Sequence, residues 1–254
     1  MTYLEGVYWD LDGTIANTEL EAHLPAFNFA FNDFNLNWHW DKSTYIDLLK
    51  INGGKNRILY YSKKIKNYMN DQLLKQIHER KQHYYIEQVK KYNVISLKPG
   101  VYRLIKELKK KNVRQFIVTS SSKKQAKLIT NQLFKEFNPF EFIISSDDVQ
   151  FHKPNPLPYI KAMKLSGIKY SNSLAFEDSS PGLRSSLAAK IPTIYIPSNI
   201  PSVIDKDIVF DCFIDTLGNE RYKANVIKGP KLDSQYVDFS YLDKFLMTIS
   251  NAKN

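Results

Sequence analysis

Cysteine and long apolar runs are the two features that this sequence most clearly lacks. Among its 254 residues there is a single cysteine, Cys212, which excludes an internal disulfide and a cysteine-based zinc cluster. No apolar run approaches the roughly 18 residues of a membrane span, and the basic and then apolar segments of a signal peptide are missing. We therefore expect a cytoplasmic protein without membrane contact, in which Cys212 is a small buried residue.

Acidic residues are fewer than basic ones. The chain has 26 Asp and Glu residues and 36 Lys and Arg residues, which gives a net charge of +10. Such a surplus suits a solvated surface, attraction of an anionic substrate, or contact with nucleic acid. The lysines form short, scattered clusters at 63–64, 109–111 and 123–124, without a concentrated basic stripe. This scatter favours a solvated surface and argues against a nucleic-acid partner.

Apolar spacing divides the chain into three parts. A short apolar run at 3–9 predicts a strand that is buried at its end. From 18 to 91, apolar residues recur at intervals of three and four, which indicates a block of helices. Strand and helix patterns then alternate, as is typical of a parallel sheet covered on both faces. The sequence therefore predicts an α/β fold in which a helical cap at 17–95 interrupts a core formed by 1–16 and 96–254.

Polar side chains follow the predicted strands at the points where those strands end. Asp10 follows the first strand, and Glu177 and Asp178 follow a later one. Between them come Lys153, in a loop before a helix marked by prolines, and a run of hydroxyls: Thr119, Ser120, Ser121 and Ser122. In parallel sheets, ligands bind at the carboxyl ends of the strands. Because magnesium prefers oxygen ligands and a lysine balances phosphate charge, we predict a magnesium and phosphate site with Asp10 and Asp178 on the metal.

The two acids Asp10 and Asp12 point to phosphoryl transfer. A carboxylate beside magnesium can attack a phosphoryl group and form an aspartyl phosphate. A second carboxylate can give a proton to the leaving oxygen and then take one from water, and Gly13 permits the tight turn between them. Taken singly, these acids suit a turn, the serines suit a helix cap, and Lys153 suits the surface. Their joint placement after strands of one sheet favours a catalytic site.

Four segments resemble the motifs of the haloacid dehalogenase superfamily: DLDGT at 10–14, TSSS at 119–122, HKPNP at 152–156 and FEDSSPG at 176–182. This resemblance implies a Rossmann-like core, a helical cap and a magnesium cofactor. It also implies a role for each core residue. Asp10 would be the nucleophile and Asp12 the general acid and base, with the Asp12 carbonyl also on magnesium. The remaining implied roles are phosphate binding by Ser120, with Thr119 as the alternative, charge balance by Lys153, metal binding by Asp178, and orientation of a metal-bound water by Glu177.

The helical block resembles the cap of the CbbY subgroup, whose members include xylulose-1,5-bisphosphate phosphatases. The similar segments include ANTELEAHLPAFNFAF, LLKINGGKNRI and, near the end of the chain, YVDFSYLDKFL. The resemblance implies substrate contacts by Glu19, His23, Gly53, Gly54, Lys55, Arg57 and Ser121.

The residues of the predicted cap also have purely structural interpretations. A second phosphate needs cations, and the planar fork of Arg57 and the point charge of Lys55 both suit it. However, His23 also suits a hydrogen-bonded helix residue, and the Gly53–Lys55 segment suits a helix boundary with a surface lysine. The aromatic stretches 38–40 and 84–85 are more typical of cap packing than of a platform for a sugar.

We therefore expect a magnesium-dependent sugar-phosphate phosphatase that acts through an aspartyl phosphate, with xylulose-1,5-bisphosphate as the favoured substrate. We expect a monomer whose partner is a small phosphorylated sugar. The alternatives are a β-phosphoglucomutase-like sugar phosphomutase, a phosphoglycolate phosphatase, and a basic scaffold or nucleic-acid binder that has kept the fold.

Overall fold

A computed structural model describes residues 3–51, 53–92, 94–200 and 204–252. The chain forms two compact units, which we call unit 1 (Met1–Asn17 with Leu97–Asn254) and unit 2 (Thr18–Ser96). The assignment of a catalytic core to 1–16 with 96–254, and of a cap to 17–95, stays a prediction.

Nine strands are found in the described part of the chain. They are β1 (Gly6–Trp9), β2 (Ala16–Asn17), β3 (Ser96–Leu97), β4 (Arg114–Val118), β5 (Phe140–Ile144), β6 (Ser173–Glu177), β7 (Thr193–Tyr195), β8 (Cys212–Ile214) and β9 (Val226–Lys228). Seven of them form one sheet in the order β5-β4-β1-β6-β7-β8-β9. All neighbours are parallel except β8 and β9, which are antiparallel. The predicted α/β fold with a parallel sheet is therefore confirmed.

Helices and strands alternate from β3 to β7, whereas the helices of unit 2 follow one another. In chain order they are α1 (Leu24–Asp33), α2 (Lys42–Leu48), α3 (Gly54–Lys64), α4 (Asp71–Tyr92), α5 (Val101–Lys110), α6 (Lys123–Leu133), α7 (Leu157–Ser166), α8 (Ser180–Ala188) and α9 (Phe239–Ala252). A five-residue π-helix, Glu19–His23, leads into α1. No helix in the described ranges combines the length and the apolar character that crossing a membrane requires.

Burial on both faces explains why β1 takes its central place in the sheet. Val7, Tyr8 and Trp9 alternate in direction but all have 0% exposure, as expected for a parallel strand with helices on both sides. On one side, Tyr8 packs in a cluster with Phe116 of β4 and Tyr159 of α7. The strand is shorter than the predicted run at 3–9, because it begins at Gly6.

The register of the sheet brings the strand ends to one level. Trp9 lies opposite Ile117 of β4 and opposite Phe176 of β6. Asp10, the end of β4 and Glu177 consequently meet at the carboxyl edge of the sheet.

Unit 2 has an aromatic core of its own. Trp40 lies 4.7 Å from Phe27 and 4.8 Å from Phe31 between ring centroids, and Trp38 and Trp40 are both buried. Trp38 and Trp40 therefore pack in the core of unit 2, which confirms the packing interpretation for these two residues over a sugar platform. Apolar spacing continues beyond α3 to Met69, but the helix ends at Lys64 because Lys66 adopts a left-handed φ of 57°.

Candidate active site

One buried lysine joins the ends of three neighbouring strands, β4, β1 and β6. Lys153 Nζ donates at 2.7 Å to Asp10 Oδ1, which follows β1, and at 2.7 Å to Glu177 Oε1, which ends β6. It also donates at 2.8 Å to the carbonyl of Val118, the last residue of β4. With 4% exposure, Lys153 is buried and the surface interpretation is wrong.

Tyr159 is a contact of this cluster that sequence reasoning missed. Its hydroxyl donates to Glu177 Oε1, and its ring lies 5.3 Å from Lys153 Nζ. Tyr159 stands on α7, the helix that follows the Lys153 loop, and is fully buried. A buried tyrosine generally needs a hydrogen-bond partner, and this was the signal that could have pointed to an acid nearby.

Burial perturbs the carboxyl groups of the site. Burial raises the pKa of Glu177 to about 7, in opposition to the charge of Lys153. Burial likewise raises the pKa of Asp10 above its ordinary value and that of Asp178 well above its own. Burial lowers the pKa of Lys153, but the nearby charges of Asp10 and Glu177 outweigh it and raise that pKa overall. The ammonium is thus firmly protonated, while three acids crowd one buried space.

The Asp12 carboxylate is held by hydroxyl groups. Ser121 Oγ donates to Asp12 Oδ2 at 2.7 Å, and Thr119 Oγ1 donates to the same oxygen at 3.3 Å. Ser120, between them, is exposed, while Ser122 caps α6 by accepting from the Gln125 N–H. The structure therefore divides the hydroxyl run, with two members on Asp12, one at the surface and one as a cap.

Close backbone approach explains the glycine after Asp12. Gly13 has a φ of 90°, and a Cβ placed on it would lie 2.0 Å from Asp178 Oδ2. Its carbonyl accepts from Lys98 Nζ at 2.6 Å. Burial lowers the pKa of Lys98 to about 8, although the charges of Asp178 and Asp10 act to raise it. Lys98, like Lys153, is buried. Sequence reasoning missed it.

The donor set fits magnesium. Asp10, Glu177 and Asp178 each offer a carboxylate oxygen, and the three oxygens lie within 4.8 Å of one another. Among the described residues, Asp10 Oδ2 and Glu177 Oε2 are buried without a hydrogen-bond partner. Hard oxygen donors suit magnesium, and a divalent cation would offset the crowding of three acids. Asp12 directs its carboxylate to hydroxyls, so its backbone carbonyl stays the predicted metal ligand.

In unit 2, two of the predicted substrate-binding residues form an ordered pair. Arg57 Nη1 lies 3.9 Å from Glu19 Oε2, and Arg57 Nε donates at 2.9 Å to the Ile51 carbonyl. The hydroxyl of Tyr45 donates to Glu19 Oε2 and lies 3.5 Å from Arg57 Nη1. The guanidinium and the carboxylate are thus each held by neighbouring groups of unit 2.

His23 belongs to a second, buried group in unit 2. Its Nδ1 lies 2.7 Å from Lys81 Nζ, and its ring stacks on Tyr85 with centroids 4.2 Å apart. Lys81 Nζ also lies 4.6 Å from the centroid of the Phe27 ring. Burial, followed by the charge of Lys81, lowers the pKa of the adjacent His78 to about 4.

Gly53 and Gly54, which were predicted to contact substrate, form the start of α3. Gly53 caps the helix with a φ of 84°, and Gly54 is its first residue. A Cβ on Gly54 would lie 3.1 Å from His78 Nε2, so this glycine allows α3 to approach α4 closely. Lys55 follows on the exposed side. The segment is therefore a helix boundary, and its contact with substrate stays a prediction, as it does for the other sequence-predicted site residues.

Comparison with known proteins adds a separate line of evidence. Residues 7–196 match the family model of the haloacid dehalogenase-like hydrolases. The chain is 34% identical to protein CbbY of Rhodobacter capsulatus, over 77% of this chain and 86% of that protein. It is 33% identical to the plasmid-borne protein CbbY of Cupriavidus necator, over 77% of this chain and 79% of that protein.

A solved structure shares the fold. The crystal structure of a CbbY mutant from Rhodobacter sphaeroides, in complex with xylulose-(1,5)bisphosphate, superposes with a TM-score of 0.76 at 28% identity. The match covers 84% of this chain and 94% of that one. Both the superfamily and the subgroup resemblance are thereby confirmed. The chain belongs to the haloacid dehalogenase-like hydrolases and is, as an enzyme, a hydrolase of phosphoric monoesters.

Proposed function

We propose that this enzyme is a magnesium-dependent sugar-phosphate phosphatase that acts through an aspartyl phosphate at Asp10. The observation that carries the proposal is the state of the Asp10 carboxylate. One of its oxygens accepts a hydrogen bond from Lys153 at 2.7 Å, and in the described ranges the other has no hydrogen-bond partner. A buried carboxylate held in this way has a fixed orientation and keeps one oxygen available.

Two in-line displacements complete the reaction. An Asp10 oxygen attacks the phosphorus atom, the bond from phosphorus to the ester oxygen breaks, and Asp12 gives its proton to that leaving oxygen. Asp12 then takes a proton from water as the water attacks the phosphoaspartate, which releases phosphate and regenerates Asp10. The hydroxyl groups of Ser121 and Thr119 orient Asp12 for both proton transfers.

The charged groups around Asp10 have separate tasks. Lys153 balances the charge of the phosphoryl oxygens and holds Asp10 and Glu177 in place. Asp10, Asp178 and the Asp12 carbonyl would hold magnesium. When bound, the metal supplies Lewis-acid polarisation of the phosphoryl group. We assign phosphate binding to Ser120, because it is the member of the hydroxyl run that is exposed and not committed to Asp12 or to α6.

Unit 2 supports the choice of a bisphosphate as the substrate. A substrate with two phosphates needs a second cationic group, and Arg57 is held ready by Glu19, Tyr45 and the Ile51 carbonyl. Its planar fork matches phosphate oxygens. The relative that was crystallised with xylulose bisphosphate adds to this argument. We therefore favour xylulose-1,5-bisphosphate, with His23, Gly53, Gly54, Lys55 and Ser121 as further contacts.

The test is phosphate release in the presence of magnesium, measured on four esters with the wild type and with Asp10→Asn. The esters are xylulose-1,5-bisphosphate, ribulose-1,5-bisphosphate, glucose-1-phosphate and phosphoglycolate. We expect the highest kcat/KM for the xylulose compound. Asp10→Asn should lower turnover by at least about 10³-fold with an unchanged melting curve, because the amide is not a nucleophile.

Each outcome of this panel tests a different part of the proposal. Retained turnover in folded Asp10→Asn would rule out Asp10 as the nucleophile. Equal, weak activity on all four esters would leave the chemistry intact and refute the bisphosphate preference. Isomerisation of glucose-1-phosphate without phosphate release would replace the phosphatase by a phosphomutase.

A further inference from the structure

Lys98 is a buried lysine that lies outside the four sequence motifs. It has 8% exposure and stands where the chain re-enters unit 1, just before α5. Its backbone N–H donates to the Ile15 carbonyl at 3.0 Å, which fixes the base of the side chain beside the loop that follows β1. A charge at such a position is costly unless it has close partners.

The ammonium of Lys98 finds its partners on two different loops. Nζ donates at 2.6 Å to the carbonyl of Gly13, in the loop after β1, and at 2.6 Å to the carbonyl of Pro197, in the loop after β7. Both partners are backbone atoms, so the side chain fixes the paths of these loops and not the rotamer of another side chain. Lys98 thereby ties together two loops at the carboxyl edge of the sheet.

The position of Gly13 is tightly limited by its surroundings. A Cβ at Gly13 would lie 2.0 Å from Asp178 Oδ2 and 3.2 Å from Ser198 Cβ. Asp178 and Ser198 therefore leave no room for a side chain at Gly13. A small shift of the Gly13 carbonyl would alter the distance between the Asp10–Asp12 segment and Asp178.

We propose that Lys98 is a positioning residue of the magnesium site, which acts through the Gly13 carbonyl. It holds the loop that carries Asp10 and Asp12 at the distance from Asp178 that lets these groups share one cation. This role rests on the proposed function, since that function places magnesium at Asp10, Asp12 and Asp178. The positive charge also faces Asp178 and Asp10, and so limits repulsion between the two acids.

The experiment compares Lys98→Met and Lys98→Arg with the wild type and with Lys110→Met. Lys110 is an exposed lysine on α5 and serves as the matched control. Magnesium binding is measured directly by titration calorimetry, and kcat and KM for xylulose-1,5-bisphosphate are measured below the melting temperature of each variant. For Lys98→Met we expect the magnesium Kd to rise and kcat to fall by about 10- to 100-fold, with KM changed less than about threefold.

The arginine variant separates positioning from simple packing. A guanidinium can also donate to two carbonyls, so Lys98→Arg should recover most of the magnesium affinity. Wild-type Kd and kcat in Lys98→Met, with a lowered melting temperature alone, would overturn the proposal. If Lys98→Met does not fold, Lys98→Gln takes its place under the same criteria.

The binding measurement keeps this proposal distinct from the proposed function. If the wild type releases no phosphate from any ester, the proposed function fails, while the change in magnesium Kd still decides the role of Lys98. A wild-type protein that binds no magnesium would overturn the role of Lys98 as well.

Discussion

Gly182 on α8 offers a sharp test of how tightly the buried acid cluster is packed. A Cβ added there would lie 1.7 Å from Glu177 Oε2 and 2.3 Å from Glu177 Cδ, far inside any real contact. The Glu177 carboxylate has 0% exposure and is bonded to Lys153 and Tyr159. In Gly182→Ala the carboxylate would have to leave Lys153, because the space that it occupies is taken.

Two opposing effects set the magnitude of this change. Breaking a buried ion pair leaves an uncompensated charge and costs about 3–5 kcal/mol. Alanine is a better helix former than glycine, which offsets at most about 1 kcal/mol of this cost in the first turn of α8. We therefore expect Gly182→Ala to lower the free energy of unfolding by about 2–4 kcal/mol, and to lower kcat because Lys153 and Glu177 move apart.

Urea unfolding and phosphate release measure both effects, and Gly167→Ala is the matched control. Gly167 ends α7 with a φ of 69°, and a Cβ there would meet nothing within 4 Å in the described structure. Its cost is backbone strain alone, about 1–2 kcal/mol, and its activity should be unchanged. If Gly182→Ala unfolds at the wild-type urea midpoint and turns over normally, the tight packing around Glu177 is refuted.

Two further predictions concern unit 2. Arg57→Met should raise KM for xylulose-1,5-bisphosphate by about tenfold or more and leave KM for glucose-1-phosphate nearly unchanged. Steady-state assays measure both constants, and Arg80→Met is the control. An equal rise in KM for the two substrates would contradict the prediction. His78 has a folded pKa of about 4 against an ordinary 6.5, so the unfolded chain binds more protons between these values and stability falls with falling pH. Between pH 7.5 and pH 5, the free energy of unfolding measured with urea should fall by about 2 kcal/mol more in the wild type than in His78→Gln. Equal falls in the two proteins would contradict the prediction.

The layout of the core could be predicted because its signals are local. A buried strand that ends before an acidic residue can be recognised from its own residues. The topology of a parallel sheet then brings the ends of its strands together. The contacts of Lys153 with Asp10 and Glu177 follow from that reasoning. The burial of Trp38 and Trp40 was predicted separately, from the preference of aromatic side chains for packing.

Other features depend on tertiary contacts that leave no pattern in the sequence. Lys98 lies in a short turn before α5, where a lysine is ordinary, and its partners are the backbone carbonyls of Gly13 and Pro197, on two loops distant in sequence. Tyr159 has the same apolar neighbours as a core residue, and its hydroxyl finds Glu177 on a different element. The end of α3 depends on the backbone of Lys66, a residue type that ordinarily continues a helix.

The central position of β1 has a consequence for the order in which the chain is made. Its neighbours in the sheet, Arg114–Val118 and Ser173–Glu177, are synthesised about 100 and about 160 residues later. At about 5–20 residues per second, the apolar strand that precedes Asp10 remains without its partner strands for at least several seconds during synthesis. The contacts of Thr18–Ser96 are available in the meantime, so unit 2 can fold while the first strand of the sheet is still waiting.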